Sequence, residues 1–172
     1  MGWNPSKIHF PCYYSMKNRI RLIISIAIPL VVGFTASLFT RPQIKNWYIT
    51  INKPSWNPPN WLFGPMWTLL YVVMGTAFYL IWKSNLSGTQ KRPAVILWVA
   101  QLLLNFFWSF IFFNQHQIKG ALVDIIGLWL LILLTIFAFA KINKTAAWLL
   151  VPYISWVTFA GLLNYAIFNL NS

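Results

Sequence analysis

Charge is missing from most of this chain. No Asp, Glu, Lys or Arg occurs in Leu22–Thr40, Pro54–Trp82, Pro93–Ile118 or Thr145–Ser172, and Gly120–Ala140 is interrupted only by Asp124. A hydrocarbon layer of about 30 Å is crossed by about 20 helical residues, so each of these stretches is long enough to span it. Inside lipid every backbone donor and acceptor has to be paired within the protein, which favours helices. The spans are placed near residues 20–40, 62–82, 94–113, 121–140 and 146–168. The expected fold class is an all-α integral membrane protein, a five-transmembrane-helix bundle. It forms a single domain over 20–168, preceded by an N-terminal tail at 1–19.

Composition supports this and removes much chemistry. Of the 172 residues 59% are apolar and 8% charged, and the 13 Lys plus Arg face a single acid. A soluble domain of ordinary composition carries about a quarter charged residues of both signs. With Asp124 the only acid, His9 and His116 the only histidines and Cys12 the only cysteine, one chain supplies no carboxylate pair, Ser-His-Asp triad or multidentate metal cage. No metal site is expected. A lone cysteine forms no intramolecular disulfide. The net charge of +12 is scattered between apolar runs, not gathered in one basic patch. It therefore reads as lipid-headgroup and topology charge, with no nucleic-acid partner.

Loop charges give an orientation. Lys7, Lys17, Arg19, Arg21, Lys83, Lys91, Arg92, Lys141 and Lys144 fall on one side, and Arg41, Lys45, Lys53 and Lys119 on the other. The positive-inside rule then puts the N-terminus in the cytoplasm. The first apolar run exceeds the 7–15 residues of a signal-peptide core, so it reads as a retained helix. Met16-Lys17 stands where a start just before that helix would stand. Residues 1–15 are thus either upstream of the true initiator or a short interfacial tail.

The loop between the first two spans is the most unusual segment, with Trp47-Tyr48, then Lys53-Pro54-Ser55-Trp56-Asn57-Pro58-Pro59-Asn60-Trp61, then Gly64-Pro65-Met66-Trp67. Pro54, Pro58 and Pro59 fix φ and remove donors, so the loop should be a rigid aromatic cover. Pro65 is expected in the first turn of the second helix, where a missing N–H costs little. An aromatic belt at the headgroups and a binding role for these tryptophans both remain open. On the second helix Trp67, Tyr71 and Gly75 share a face at i, i+4, i+8, the glycine permitting close helix approach.

The third helix carries Gln101, Asn105, Trp108 and Phe112 on one stripe. Amides at that depth cannot face lipid cheaply, so they serve either as interhelical glue or as ligand contacts. Asp124 lies one turn into the fourth helix, near the positive end of the helix dipole, and is expected to be a structural anchor paired with Lys119, Lys53 or Arg41. On the fifth helix Tyr153, Trp156 and Ala160 share a face, and Pro152 can kink the helix by freeing the carbonyl four residues earlier. Trp156 is too deep for a headgroup belt.

Together these segments resemble the TspO/MBR family of translocator and tryptophan-rich sensory proteins. The resemblance rests on Trp47-Tyr48, Lys53-Pro54-Ser55-Trp56-Asn57-Pro58-Pro59, Gly64-Pro65-Met66-Trp67, Leu70-Tyr71-x-x-Met74-Gly75, Gln101-x-x-Leu104-Asn105-x-x-Trp108-Ser109, Ala121-Leu122-Val123-Asp124 and Ala147-Trp148-x-x-x-Pro152-Tyr153-x-x-Trp156. It implies a five-helix bundle, often a homodimer, with a pocket under the first loop for porphyrins, haem and benzodiazepine-type or isoquinoline ligands. It carries pocket roles onto Trp67, Asn105 and Trp156, and a role in light- and oxygen-dependent porphyrin breakdown onto Trp67 and Trp156. The sterol-recognition pattern of animal members is incomplete here, since Leu162-Leu163-Asn164-Tyr165 is followed by no basic residue.

The expected function is tetrapyrrole binding in an aromatic pocket, in a sensory, regulatory or transport role, with no required cofactor and with porphyrin or haem as ligand. The expected ligand-binding residues are Trp56, Trp61, Trp67, Tyr71, Gln101, Asn105, Trp108, Tyr153 and Trp156. Arg41, Lys45 and Lys53 are candidates for the propionates, and Pro54, Pro58, Pro59, Pro65 and Asp124 are structural. His9 in the tail and His116 in a loop are poor iron ligands. Two rival readings are a light-driven porphyrin-degrading enzyme using Trp67 and Trp156, and a regulator that acts through partners. The expected setting is a bacterial cell membrane.

Overall fold

The computed structural model describes residues 11–172, with side chains from residue 16; Lys7 and His9 lie outside the described residues, as does the side chain of Cys12. The chain runs through α1 (Pro11–Lys45), α2 (Asn60–Lys83), α3 (Gly88–Ser109), a π-helical turn (Phe110–Asn114), α4 (Ile118–Ala140), α5 (Lys144–Leu149) and α6 (Val151–Asn171). Among the described residues these make five segments long and apolar enough to cross a membrane, the π-turn extending α3 and α5 joining α6. The protein is a multi-pass integral membrane protein. Its outward faces are apolar along their length, with Ile23, Val31, Phe34, Leu69, Leu103, Val123, Phe137 and Trp148 exposed. In water such a surface would aggregate, whereas in lipid it is solvated.

The fold departs from the sequence expectations in several places. The part of the tail from Pro11 onward continues α1 without a break. Pro65 is the sixth residue of α2, which starts at Asn60. It therefore removes the N–H that would pair with the Trp61 carbonyl, and does not sit harmlessly in the first turn. The fifth span is two helices, because the chain turns at Leu150 and α6 restarts with Pro152 in its first turn, where proline is well tolerated.

Local chemistry explains the other ends. A capping box between Ser87 and Gln90 starts α3, and the Asn143 side chain accepts from the Ala146 N–H to start α5. At the end of α3 one wider turn, closed by the Gln115 N–H on the Phe110 carbonyl at 3.1 Å, places Phe112 and Phe113 both inward. Such π-turns recur at functional sites.

Helix approach sets the layout: α1 packs on α2, α3 on α4, and α4 on α6. At the α1–α2 crossing a Cβ on Gly75 would come within 2.6 Å of both the Ile26 Cα and the Ser25 carbonyl oxygen, so only glycine fits. Pro29 lacks the N–H that would occupy that Ser25 carbonyl, which leaves the oxygen free to meet the glycine Cα–H. Farther along, a Cβ on Gly33 would penetrate the Tyr71 ring. Two apolar clusters result. The larger holds Leu70, Met74, Ile81, Trp98, Leu128, Phe139 and Tyr153, and the smaller, at the first-loop end, holds Tyr48, Phe112, Phe113, Ala121, Leu163 and Ile167.

Candidate ligand-binding site

The loop joining α1 to α2 is fastened by its own polar groups. The Lys53 ammonium donates to the carbonyls of Tyr48 (2.6 Å) and Ile51 (2.9 Å) and lies 4.8 Å from the centre of the Tyr48 ring. The Tyr48 hydroxyl donates to Asn57 Oδ1 at 2.8 Å. Burial pushes this phenol up to about 12, which keeps it a donor at physiological pH. Across to α6, the Asn52 N–H donates to Asn171 Oδ1 and Asn171 Nδ2 donates to the Asn52 carbonyl, each at 2.9 Å. Trp47 stacks on His116 with centroids 4.4 Å apart, and His116 Nε2 is 3.2 Å from Gln43 Oε1. His116 holds φ at 55°, the left-handed region that histidine visits more readily than most residues.

Beneath this cover lies a cavity of about 600 Å³, within the range of small-molecule sites. Aromatic rings form most of its wall. Trp67 stacks on Tyr71 at 5.7 Å, and Trp108 stacks on Phe112 at 5.2 Å. Trp156 packs against Phe159 at 5.5 Å and Phe63 at 6.2 Å. The Trp108 indole N–H donates to Asn164 Oδ1 at 3.1 Å, while Asn164 Nδ2 donates to the Ile118 carbonyl at 3.0 Å. One amide thus ties α3, α6 and the start of α4 together. Among the described residues Arg41 is the only charged one lining the cavity, and it stands at the rim.

Trp61, Trp67, Tyr71, Trp108, Trp156 and Arg41 are therefore brought together around one space. The other expected contacts lie elsewhere. Gln101, Asn105 and Tyr153 are buried behind the cavity in a single hydrogen-bonded chain. In it Tyr71 donates to Asn105 Oδ1 (2.7 Å), Asn105 Nδ2 to the Tyr153 hydroxyl (3.2 Å), Tyr153 to Gln101 Oε1 (2.8 Å), and Gln101 Nε2 to the Trp98 carbonyl (2.9 Å). The two amides of the third-helix stripe thus pair with other helices, and only the Tyr71 end of the chain reaches the cavity wall. Trp56 packs edge-on against Phe159, away from the cavity lining. Lys53 is taken up by loop carbonyls, and Lys45 does not line the cavity.

Asp124 is not paired as expected. Its Oδ2 is enclosed with no hydrogen-bond partner, and Lys53 is engaged in the loop. Pro54 accepts from the Asn57 N–H at 3.0 Å and Pro59 from the Leu62 N–H at 3.0 Å, closing the turns that carry the loop into α2. Pro58 accepts from Asn57 Nδ2.

Sequence reasoning missed the wall supplied by α1. Gly33, Ala36, Ser37 and Thr40 line the cavity at i, i+3, i+4, i+7. That row of small side chains was a legible sign of a helix face set back to leave room. Asn164 was also missed, although an amide in a span calls for a partner as strongly as Gln101 does.

Comparison with known proteins agrees with this architecture. The family model described as TspO/MBR family matches residues 25–170. The chain is 44% identical over 155 residues to the tryptophan-rich protein TspO of Chlorobaculum tepidum, covering 90% of this chain and 98% of the relative. It is 38% identical over 146 residues to the translocator protein of Bos taurus, covering 84% and 86%. It is 37% identical over 125 residues to the tryptophan-rich sensory protein of Cereibacter sphaeroides, covering 73% and 77%.

Proposed function

Because the chain belongs to the TspO/MBR family, we propose that its cavity binds a flat tetrapyrrole, porphyrin or haem, and that occupancy serves a sensory, regulatory or transport role. The observation that carries this is the wall itself: Trp67, Tyr71, Trp108 and Trp156 surround one space of about 600 Å³ with Arg41 at its rim. Aromatic faces suit a wide apolar disc, and a guanidinium suits a propionate. Among the described residues the lining holds no His or Cys, so metal-free and iron porphyrins should bind alike. Relatives named for translocation and for sensing support both roles. Among the described residues the five spans show no inverted repeat of the kind that alternating access uses, which favours sensing.

In this reading the protein is a homodimer in a bacterial cell membrane with its N-terminus in the cytoplasm, so the covered cavity faces outward. Light-driven porphyrin breakdown is the second reading, favoured by two indoles, Trp67 and Trp156, lining the same cavity. The test is quenching of tryptophan fluorescence by protoporphyrin IX, in darkness and then in light. Saturable quenching near micromolar affinity, about −8 kcal/mol, that weakens in Trp67→Phe/Trp156→Phe supports the binding site. Product formed only in light, and lost in Trp156→Phe while binding persists, favours the enzyme reading. Linear quenching indifferent to the substitutions refutes both.

A further inference from the structure

The walls of the cavity differ in their contact with the outside. On the π-turn and α6 the lining is closed by buried Phe112, Phe113, Leu163, Asn164 and Ile167, while on α3 Trp108 and Ser109 are half-buried. The floor is closed by buried Tyr71, with the hydrogen-bonded chain behind it. The exposed lining residues are Phe34 and Arg41 on α1 and Asn60, Trp61, Gly64 and Thr68 on α2. They share one location, so the mouth of the cavity is the slot between α1 and α2. These helices touch closely at Gly75 and Gly33 and part toward the first loop. At Gly64 an added Cβ would meet nothing within 4 Å.

Both helices are membrane spans. With a rise of about 1.5 Å per residue, Phe34 lies about 10 Å along α1 from Arg41, and Thr68 about 12 Å along α2 from Asn60. The slot therefore runs from headgroup level down into hydrocarbon. The first loop, in contrast, is held by Lys53 on two carbonyls, by Tyr48 on Asn57 and by the paired Asn52–Asn171 amides.

We propose that the cavity fills sideways from the bilayer through the α1–α2 slot, taking a lipid-dissolved flat amphiphile with an anionic edge, while the first loop remains a fixed roof. The ring slides between Phe34 and Thr68 as its carboxylate travels at the level of Arg41. No charge has to cross hydrocarbon, which would be costly, and no roof contact has to break. The choice of a tetrapyrrole as probe rests on the function proposed above; the route itself does not.

The test uses the full chain in lipid nanodiscs in a Cys12→Ser background, with two independent arms. In the first, Asn52→Cys/Asn171→Cys is bridged by a short bismaleimide to lock the roof, and Gly64→Trp or, separately, Ser37→Trp plugs the slot. Protoporphyrin IX is added in vesicles and the rate of tryptophan quenching is followed. The locked roof should leave the rate within about twofold of wild type, and either plug should slow it about tenfold or more. A locked roof that stops loading, with plugs that do not, overturns the proposal. In the second arm a fluorophore on Thr68→Cys is challenged with brominated-acyl phosphatidylcholine and with aqueous iodide. Quenching by the brominated lipid supports the slot, and quenching by iodide alone overturns it whether or not any tetrapyrrole binds.

Discussion

Tyr153 uses its hydroxyl twice, accepting from Asn105 and donating to Gln101. Tyr71 only donates, to Asn105. Removing each hydroxyl therefore leaves different orphans. Tyr153→Phe strands the Asn105 amide protons and the Gln101 oxygen, whereas Tyr71→Phe strands one acceptor. Side-chain hydrogen bonds between membrane helices are worth about 0.6 kcal/mol on average and about 1.7 at most, and a buried unpaired group costs about 1–3 kcal/mol. Tyr153→Phe should lower stability by about 1–2 kcal/mol and Tyr71→Phe by about half as much, measured by thermal unfolding in detergent. Equal losses would mean that the chain is not a single network. The sequence showed that Gln101 and Asn105 needed partners but not which ones, because those partners come from α2 and α6, tens of residues away. The pairing expected of Asp124 fails for the same reason: Lys53 and Arg41 come from distant parts of the chain, and Lys119, five residues away, does not meet the carboxylate either.

At the scale of elements, two glycines of α2 make opposite demands. Gly75 sits against the backbone of α1, while Gly64 opens on empty space. Gly75→Ala has to push two helices apart and should cost about 1–3 kcal/mol, as overpacking does. Gly64→Ala should gain about 0.5–1 kcal/mol from helix propensity. Both are read from unfolding midpoints at matched detergent concentration, and a loss at Gly64 equal to that at Gly75 would contradict the crossing geometry. The helices themselves were legible, because charge-free length is a property of sequence alone. Their irregularities were not. The π-turn at Phe110–Asn114 exists because two adjacent phenylalanines are both drawn into the cluster under the loop, and the turn at Leu150 lets α5 pack separately against α2 and α4. Tertiary packing decides both, and only Pro152 hinted at the second.

For the whole molecule the surface is as apolar as the core, and a few buried polar side chains such as Gln101, Asn105 and Asn164 are enclosed within the bundle. What fixes the bundle in its membrane is then the distribution of its basic residues between the two ends of the helices. With the N-terminus inside, a membrane-impermeant maleimide applied to intact bacterial cells should label Lys119→Cys and spare Lys141→Cys in a Cys12→Ser chain. The reverse pattern would turn the bundle over. The amide pair that fastens the first loop also bears on how the protein is made. Asn52 and Asn171 are 119 positions apart, so the loop leaves the ribosome long before its fastening residue does. While the later spans are still being inserted, the nascent chain carries an untied loop. The roof becomes complete only when α6 has joined the bundle, which makes it a marker of finished assembly.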